Sequence, residues 1–176
     1  THNSLLLNRV FTRNTIRQMI EDGLDHNYVA AIRNYVNSCE RGDNRQLIGE
    51  VYQILRKEYR NEYYYKNTIL NKLLLGVHKP TTTTALTEVA IGRSKADFVL
   101  INGRATVYEI KTELDNLDRI ETQLADYSKA FSMVSVLTCE HHLAALNSRL
   151  NDTPIGICLL TAKGTISEIK KPQEYW

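Results

Sequence analysis

The chain predicts an α/β fold, with a helical N-terminal layer ahead of a sheet-containing core. Three observations carry this reading. Apolar residues repeat at helical spacing from about residue 15 to residue 74, and Thr and β-branched residues dominate after Pro80. Beyond that point short strand-like runs alternate with helical ones. A length of 176 residues suits one core domain with a helical annex. Residues 1–44 are read as the helical region packed on the core, and 45–176 as the core itself.

Taken in order, Thr15 is a candidate cap for IRQMIEDG, which Gly23 ends, and Asn27 for YVAAIRNYVNSCE. RGDN then turns the chain. From Asn44 a long stretch carries Leu47, Val51, Ile54 and Leu55 on one face, continuing through Tyr59 to Ile69, Leu73 and Leu74. Uninterrupted helices of that length are uncommon, so a break is expected near 60–62. Gly76 and Pro80 close the helical half.

TTTTALTEVAIG reads as a strand. KADFVLI and ATVYEIKT follow as a hairpin across Asn102-Gly103. ELDNLDRIETQLADYSKAF reads as a helix with Leu117, Ile120, Leu124, Tyr127 and Phe131 on one stripe. MVSVLT is a short buried strand, HHLAALNSRL a short helix, and IGICLLTAKGTISEIKK a hairpin turning at Lys163-Gly164. The order is helices, then β-β-β-α-β-α-β-β.

Composition narrows the class. With 43% hydrophobic and 24% charged residues, disordered and fibrous classes drop out. No apolar run is long enough to span a bilayer, and THNSLLLNRVF does not have the pattern of a secretory leader. Cys39, Cys139 and Cys158 are odd in number and far apart, so no disulfide framework is expected and a reducing, cytoplasmic setting is. A net charge of +2 permits a nucleic-acid partner without demanding one.

The chemistry sits in VYEIKTE. Residues two apart in a strand face the same way, so Glu109 and Lys111 share a face with Val107. A solvated edge strand would explain them, except that Asp97 lies on the partner strand. Register decides whether it meets Glu109. A two-residue Asn102-Gly103 loop pairs Ile101 with Arg104 and sets Asp97 opposite Tyr108, on the wrong face. A three-residue loop Ile101-Asn102-Gly103, with Gly103 left-handed, pairs Leu100 with Arg104 and sets Asp97 opposite Val107, diagonal to Glu109. The bulged hairpin is the expectation. Two carboxylates and an ammonium then converge, a set of hard oxygen donors suited to Mg²⁺ or Mn²⁺, with the Ile110 carbonyl as a further ligand. Lys111 is placed to orient or deprotonate water, or to offset phosphoryl charge.

Asp97, eleven intervening residues and Glu109-Ile110-Lys111 resemble the PD-(D/E)XK nuclease superfamily. Gln123-Leu124-Ala125-Asp126-Tyr127 is similar to the Q-x-x-x-Y helix motif of its RecB-like and phage-exonuclease-like branch. The resemblance covers about 45–140 and implies a restriction-endonuclease-like core, α-β-β-β-α-β with a mixed sheet flanked by helices. It implies a Mg²⁺- or Mn²⁺-dependent nuclease acting on nucleic acid, DNA first. Asp97, Glu109 and Lys111 are its site, supported by Gln123 and Tyr127. The family's further acid falls best on Glu88, ahead of Gly92 to Asp97, with Glu50 and Glu62 as rivals. Small stand-alone bacterial or phage members have the same layout. The alternative is an inactive nuclease-like binding module, such as an accessory, immunity or inhibitor protein.

Other features have plainer readings. Cys139-Glu140-His141-His142 is too compressed for a zinc site and reads as a surface turn into the helix. Of the three successive tyrosines 63–65 at least one must be core, which leaves little for base stacking. Asp115, Asp118 and Glu121 suit the first turn of a helix. The N-terminal helices are candidates for a homodimer or protein-partner surface.

Overall fold

The computed structural model describes residues 2–36, 43–76, 79 and 81–174. Cys39, the RGDN turn up to residue 42 and Pro80 lie outside the described residues. The chain forms two compact units, Thr1–Tyr64 and Tyr65–Trp176.

The first unit holds α1 (His2–Val10), α2 (Arg13–Asp22), α3 (His26–Tyr35), α4 (Asn44–Glu58) and the start of α5 (Glu62–Ile69). Capping side chains set its boundaries. Thr12, rather than Thr15, caps α2 by accepting the Thr15 N–H, because Thr12 is the residue with extended backbone. Gly23 ends the helix in the left-handed conformation (φ 78°), as expected. Asp25, rather than Asn27, caps α3 by accepting from Asn27 N and Tyr28 N. The expected interruption falls at 59–61, between α4 and α5. There Asn61 accepts the Tyr64 N–H and donates to Asn8 Oδ1 at 2.6 Å. Helix α3 packs on α1 and α4, with Tyr28, Ala31 and Ile32 buried. Tyr63 stacks on Phe11 at 4.7 Å and Tyr64 is buried.

In the second unit α5 passes into a π-helical turn, Leu70–Leu74, closed by Leu75 N donating to Leu70 O. One six-stranded sheet follows: β1 (Thr84–Ile91), β2 (Ser94–Asn102), β3 (Arg104–Lys111), β4 (Met133–Thr138), β5 (Gly156–Leu160) and β6 (Ile166–Lys170). The strands lie in sequence order. β1–β2, β2–β3 and β5–β6 are antiparallel, whereas β3–β4 and β4–β5 are parallel. The parallel joins need crossovers, supplied by α6 (Ile120–Ser128) and α7 (Glu140–Leu150). Val99, Val107, Val134, Val136 and Ile157 of the sheet form one core with Ile120, Leu124, Tyr127 and Leu146 of the helices. The mixed α/β class and the element order therefore stand as read. Among the described residues no helix is long and apolar enough to cross a membrane.

Three local expectations are corrected. The hairpin pairs Asn102 with Arg104, Ile101 with Ala105 and Leu100 with Thr106, two places from the expected register. Gly103 is left-handed (φ 70°) as expected, but it makes the turn by itself, since its backbone freedom lets Asn102 pair directly with Arg104. A second difference is that α6 starts at Ile120 rather than near 113. The Asp115 carboxylate accepts both the N–H and the hydroxyl of Thr112, holding the chain in a turn that competes with helix. The residues before α7 are not a surface turn either: Cys139 is fully buried, and His142 Nε2 lies 3.0 Å from the Thr112 carbonyl.

Candidate functional site

The even shift of register keeps Asp97 in step with Glu109. The ladder runs to Phe98–Tyr108, so the next count sets Asp97 across from Glu109. On the other side Thr87 pairs with Phe98 and Val89 with Ala96, which sets Glu88 across from Asp97. Three carboxylates thus form a row over β1, β2 and β3. The ladder lapses along this row. Asp97 Oδ2 takes the Ile110 N–H at 2.8 Å in place of a strand carbonyl. Glu88 has φ 60°, the one positive value at a non-glycine among the described residues. Holding it there costs roughly 1–3 kcal/mol, and such positions concentrate where function requires them. Carboxylate oxygens of Glu88 and Asp97 lie within 4.8 Å of each other.

Glu109 is 1% exposed, so its charge requires compensation within the protein. Helix α6 supplies most of it. Gln123 Nε2 donates to Glu109 Oε1 at 2.5 Å, and the Tyr127 hydroxyl donates to Oε2 at 2.7 Å. Lys111 Nζ adds an ion pair to Oε1 at 3.0 Å and donates to Gln123 Oε1 at 2.9 Å. The i, i+4 spacing puts Gln123 and Tyr127 on one face of α6, one turn apart, and both reach the same carboxylate. Gln123 bridges acid and ammonium with its two amide ends. The Tyr127 hydroxyl has one proton and a second acceptor, the Lys95 carbonyl at 2.9 Å. Burial and then the Glu109 carboxylate push its ionisation far above the ordinary phenol range, so it keeps its proton as a donor.

Oε1 of Glu109 accepts from Gln123 and Oε2 from Tyr127, with the Lys111 ammonium 3.0 Å from Oε1. Lys111 donates one proton to Gln123. The N–H and C=O of one strand residue point to the same side. Because the Ile110 N–H points to Asp97, the Ile110 carbonyl is directed to the same edge. Oxygens on one Mg²⁺ at 2.0–2.1 Å are at most about 4.2 Å apart. The Glu88–Asp97 limit is just above that, so these two carboxylates would need only a small side-chain adjustment to share a divalent cation, whereas Glu109 stands outside their group.

The sequence-predicted residues Asp97, Glu109, Ile110, Lys111, Gln123 and Tyr127 are brought together, with Glu88 at the end of their row. Glu50 lies exposed on α4 in the first unit, and Glu62 is the exposed first residue of α5. Asp115 is spent on Thr112, and Glu121 pairs with Arg149. Cys139, His141 and His142 form no ligand group among the described residues. Sequence reasoning missed Lys66 and Lys95, which both pair with Glu88. Lys95 stands two residues before Asp97, a signal that was there; Lys66 gave none. It also missed Asp126, the residue before Tyr127 in the helix motif. Asp126 accepts from Ser94 Oγ at 2.8 Å and from Arg93 N, and so pins the β1–β2 turn to α6.

Comparison with known proteins gives a match to the family described as Bacteriophage P4 protein cII, over residues 55–175. The matched span covers the end of α4 and all six strands. No curated protein matches, and no solved structure does.

Proposed function

We propose that this chain, which belongs to the bacteriophage P4 protein cII family, is a metal-dependent nuclease with a restriction-endonuclease-like core, cutting phosphodiester bonds in DNA. The observation that carries the reading is the closed set around Glu109: a fully buried strand carboxylate, Lys111 beside it, and Gln123 and Tyr127 from one helix face. A strand Glu/Lys pair that served only solubility would be exposed. The order α5, three antiparallel strands, α6 and a fourth strand parallel to β3 supports the fold reading.

Glu88, Asp97, the Ile110 carbonyl and a Glu109 oxygen would hold Mg²⁺ or Mn²⁺, which would supply positive charge against the phosphoryl oxygens. The protein's own groups do the rest. Lys111 has N–H donors beyond the one given to Gln123, and these hold a phosphoryl oxygen or the attacking water. Glu109 holds the ammonium in place. Gln123 fixes the distance between them, and Tyr127 stops the carboxylate from rotating. Donors fixed before reaction stabilise developing charge without reorganising.

The test is cleavage of linear, circular and single-stranded DNA, and of RNA, with Mg²⁺ or Mn²⁺, beside Lys111→Ala and Asp97→Ala. Each substitution should lower the rate by about 10²–10³-fold or more. Activity that survives both rules the mechanism out.

A second reading has one observation in its favour. Both oxygens of the buried Glu109 carboxylate already take a protein donor, and Lys111 balances its charge, as in a site retained for structure. The chain would then be a nuclease-like binding module. Calorimetry with Mn²⁺ separates the two, since only the nuclease requires the cation to bind and Asp97→Ala to abolish that binding.

A further inference from the structure

Two lysines from different elements converge on one carboxylate. Lys66 of α5 pairs with Glu88 Oε1, and Lys95 of β2 pairs with Oε2, so each oxygen has its own ammonium. Two cations brought this close repel unless an anion lies between them. Burial alone would raise the Glu88 carboxyl, yet the hydrogen bonds and charges of the two lysines leave it below the ordinary carboxylate range. None of the three side chains is deeply buried, at 40% exposed for Glu88, 19% for Lys66 and 59% for Lys95, so a ligand can reach them.

We propose that Lys66 and Lys95 form a binding site for a backbone phosphate of a nucleic acid, and that the Glu88 carboxylate fills this site when no nucleic acid is present. The carboxylate presents two oxygens to two ammonium groups, as the two non-bridging oxygens of a phosphodiester do. Its neighbour across the strand pair is Asp97, within 4.8 Å, so a phosphate held by the lysines lies beside the acidic row. When Glu88 turns from the lysines towards that row, it vacates the phosphate site in the same movement. Nucleic acid and divalent cation then favour each other's binding, a coupling that linkage makes reciprocal. The choice of a nucleic acid as ligand rests on the nuclease reading; the lysine pair itself does not.

The test is equilibrium binding of a short fluorescein-labelled single-stranded DNA in EDTA, by anisotropy over a range of salt. It compares the full chain with Glu88→Gln, with Lys66→Gln/Lys95→Gln and with the triple variant, each checked for unchanged circular dichroism. Glu88→Gln should bind about tenfold tighter than the parent, because the carboxylate no longer competes with phosphate for the two lysines. The double lysine variant should bind more weakly, with a slope of log affinity against log salt shallower by about 1.4, two single-strand contacts of about 0.7 each. The gain from Glu88→Gln should vanish in the triple variant. A gain that persists without the lysines, a slope that they do not change, or no binding by any variant overturns the site. Cleavage plays no part in this measurement. A protein that never cuts but shows the pattern loses the nuclease reading and keeps the phosphate site, and one that cuts without it does the reverse.

Discussion

Glu109 and Lys111 are each other's condition for being where they are. A buried ion pair is seldom worth more than the apolar residues it displaces, but breaking one costs roughly 3–5 kcal/mol, because the surviving charge is stranded. Glu109→Ala should therefore destabilise the protein by about 3–5 kcal/mol in urea unfolding. Glu109→Leu with Lys111→Met should recover most of that loss while leaving no site. Tyr127→Phe removes one donor from the same carboxylate, and a loss of about 1–3 kcal/mol is expected. Glu88 brings a pH dependence. Its carboxyl titrates below the ordinary range, so the stability it contributes is fully present above that range and falls away as pH drops through the lowered value. Glu88→Gln should flatten this acid limb when unfolding is followed against pH.

Among the elements, β5 shows how tightly the sheet is seated. A Cβ on Gly156 would lie 2.6 Å from Ser135 Oγ and 2.9 Å from the backbone N of Pro172. Gly156→Ala should cost about 1–3 kcal/mol, read as a lowered denaturation midpoint. The elements were legible to different degrees, for physical reasons. Strand β4 could be read in full, since MVSVLT is apolar and β-branched on both faces, as a strand with parallel neighbours must be. The start of α6 could not, because Thr112 and Asp115 look like the approach to a helix and instead lock each other into a turn. The hairpin register was half legible. Gly103 announced the left-handed residue, but not that it alone would separate the paired Asn102 and Arg104. What survived was the even count, and that alone keeps Asp97 in step with Glu109. The site residues on β2, β3 and α6 could be found because strand and helix periodicity are local. Lys66 could not, since nothing in its own helix points to Glu88.

The whole molecule divides at Tyr64–Tyr65, and the second unit organises itself around the middle of one sheet. β3 and β4 have strands on both sides and carry fully buried residues, whereas β1 and β6 are edges with several exposed ones. Amide exchange should accordingly be slowest in β3 and β4 and faster at both edges, which mass spectrometry of exchanged peptides will show. The same burial, with the nearby Glu168, pushes the Cys158 thiol up to about 11. Cys158 should stay unalkylated by iodoacetamide at pH 8 in the native protein and react only on unfolding.

The strand order of that sheet has a kinetic consequence. Each strand lies beside its neighbour in sequence, so the sheet can zip up from one seed without waiting for distant ends to meet. Pairings of short sequence separation make for quick folding, and the tightest connection is the β2–β3 hairpin around Gly103. If that hairpin is the nucleus, Gly103→Ala, which strains a left-handed residue at an otherwise open position, should slow refolding in stopped-flow more than it speeds unfolding. The turn that aligns Asp97 with Glu109 would then also set the pace at which the chain becomes a protein.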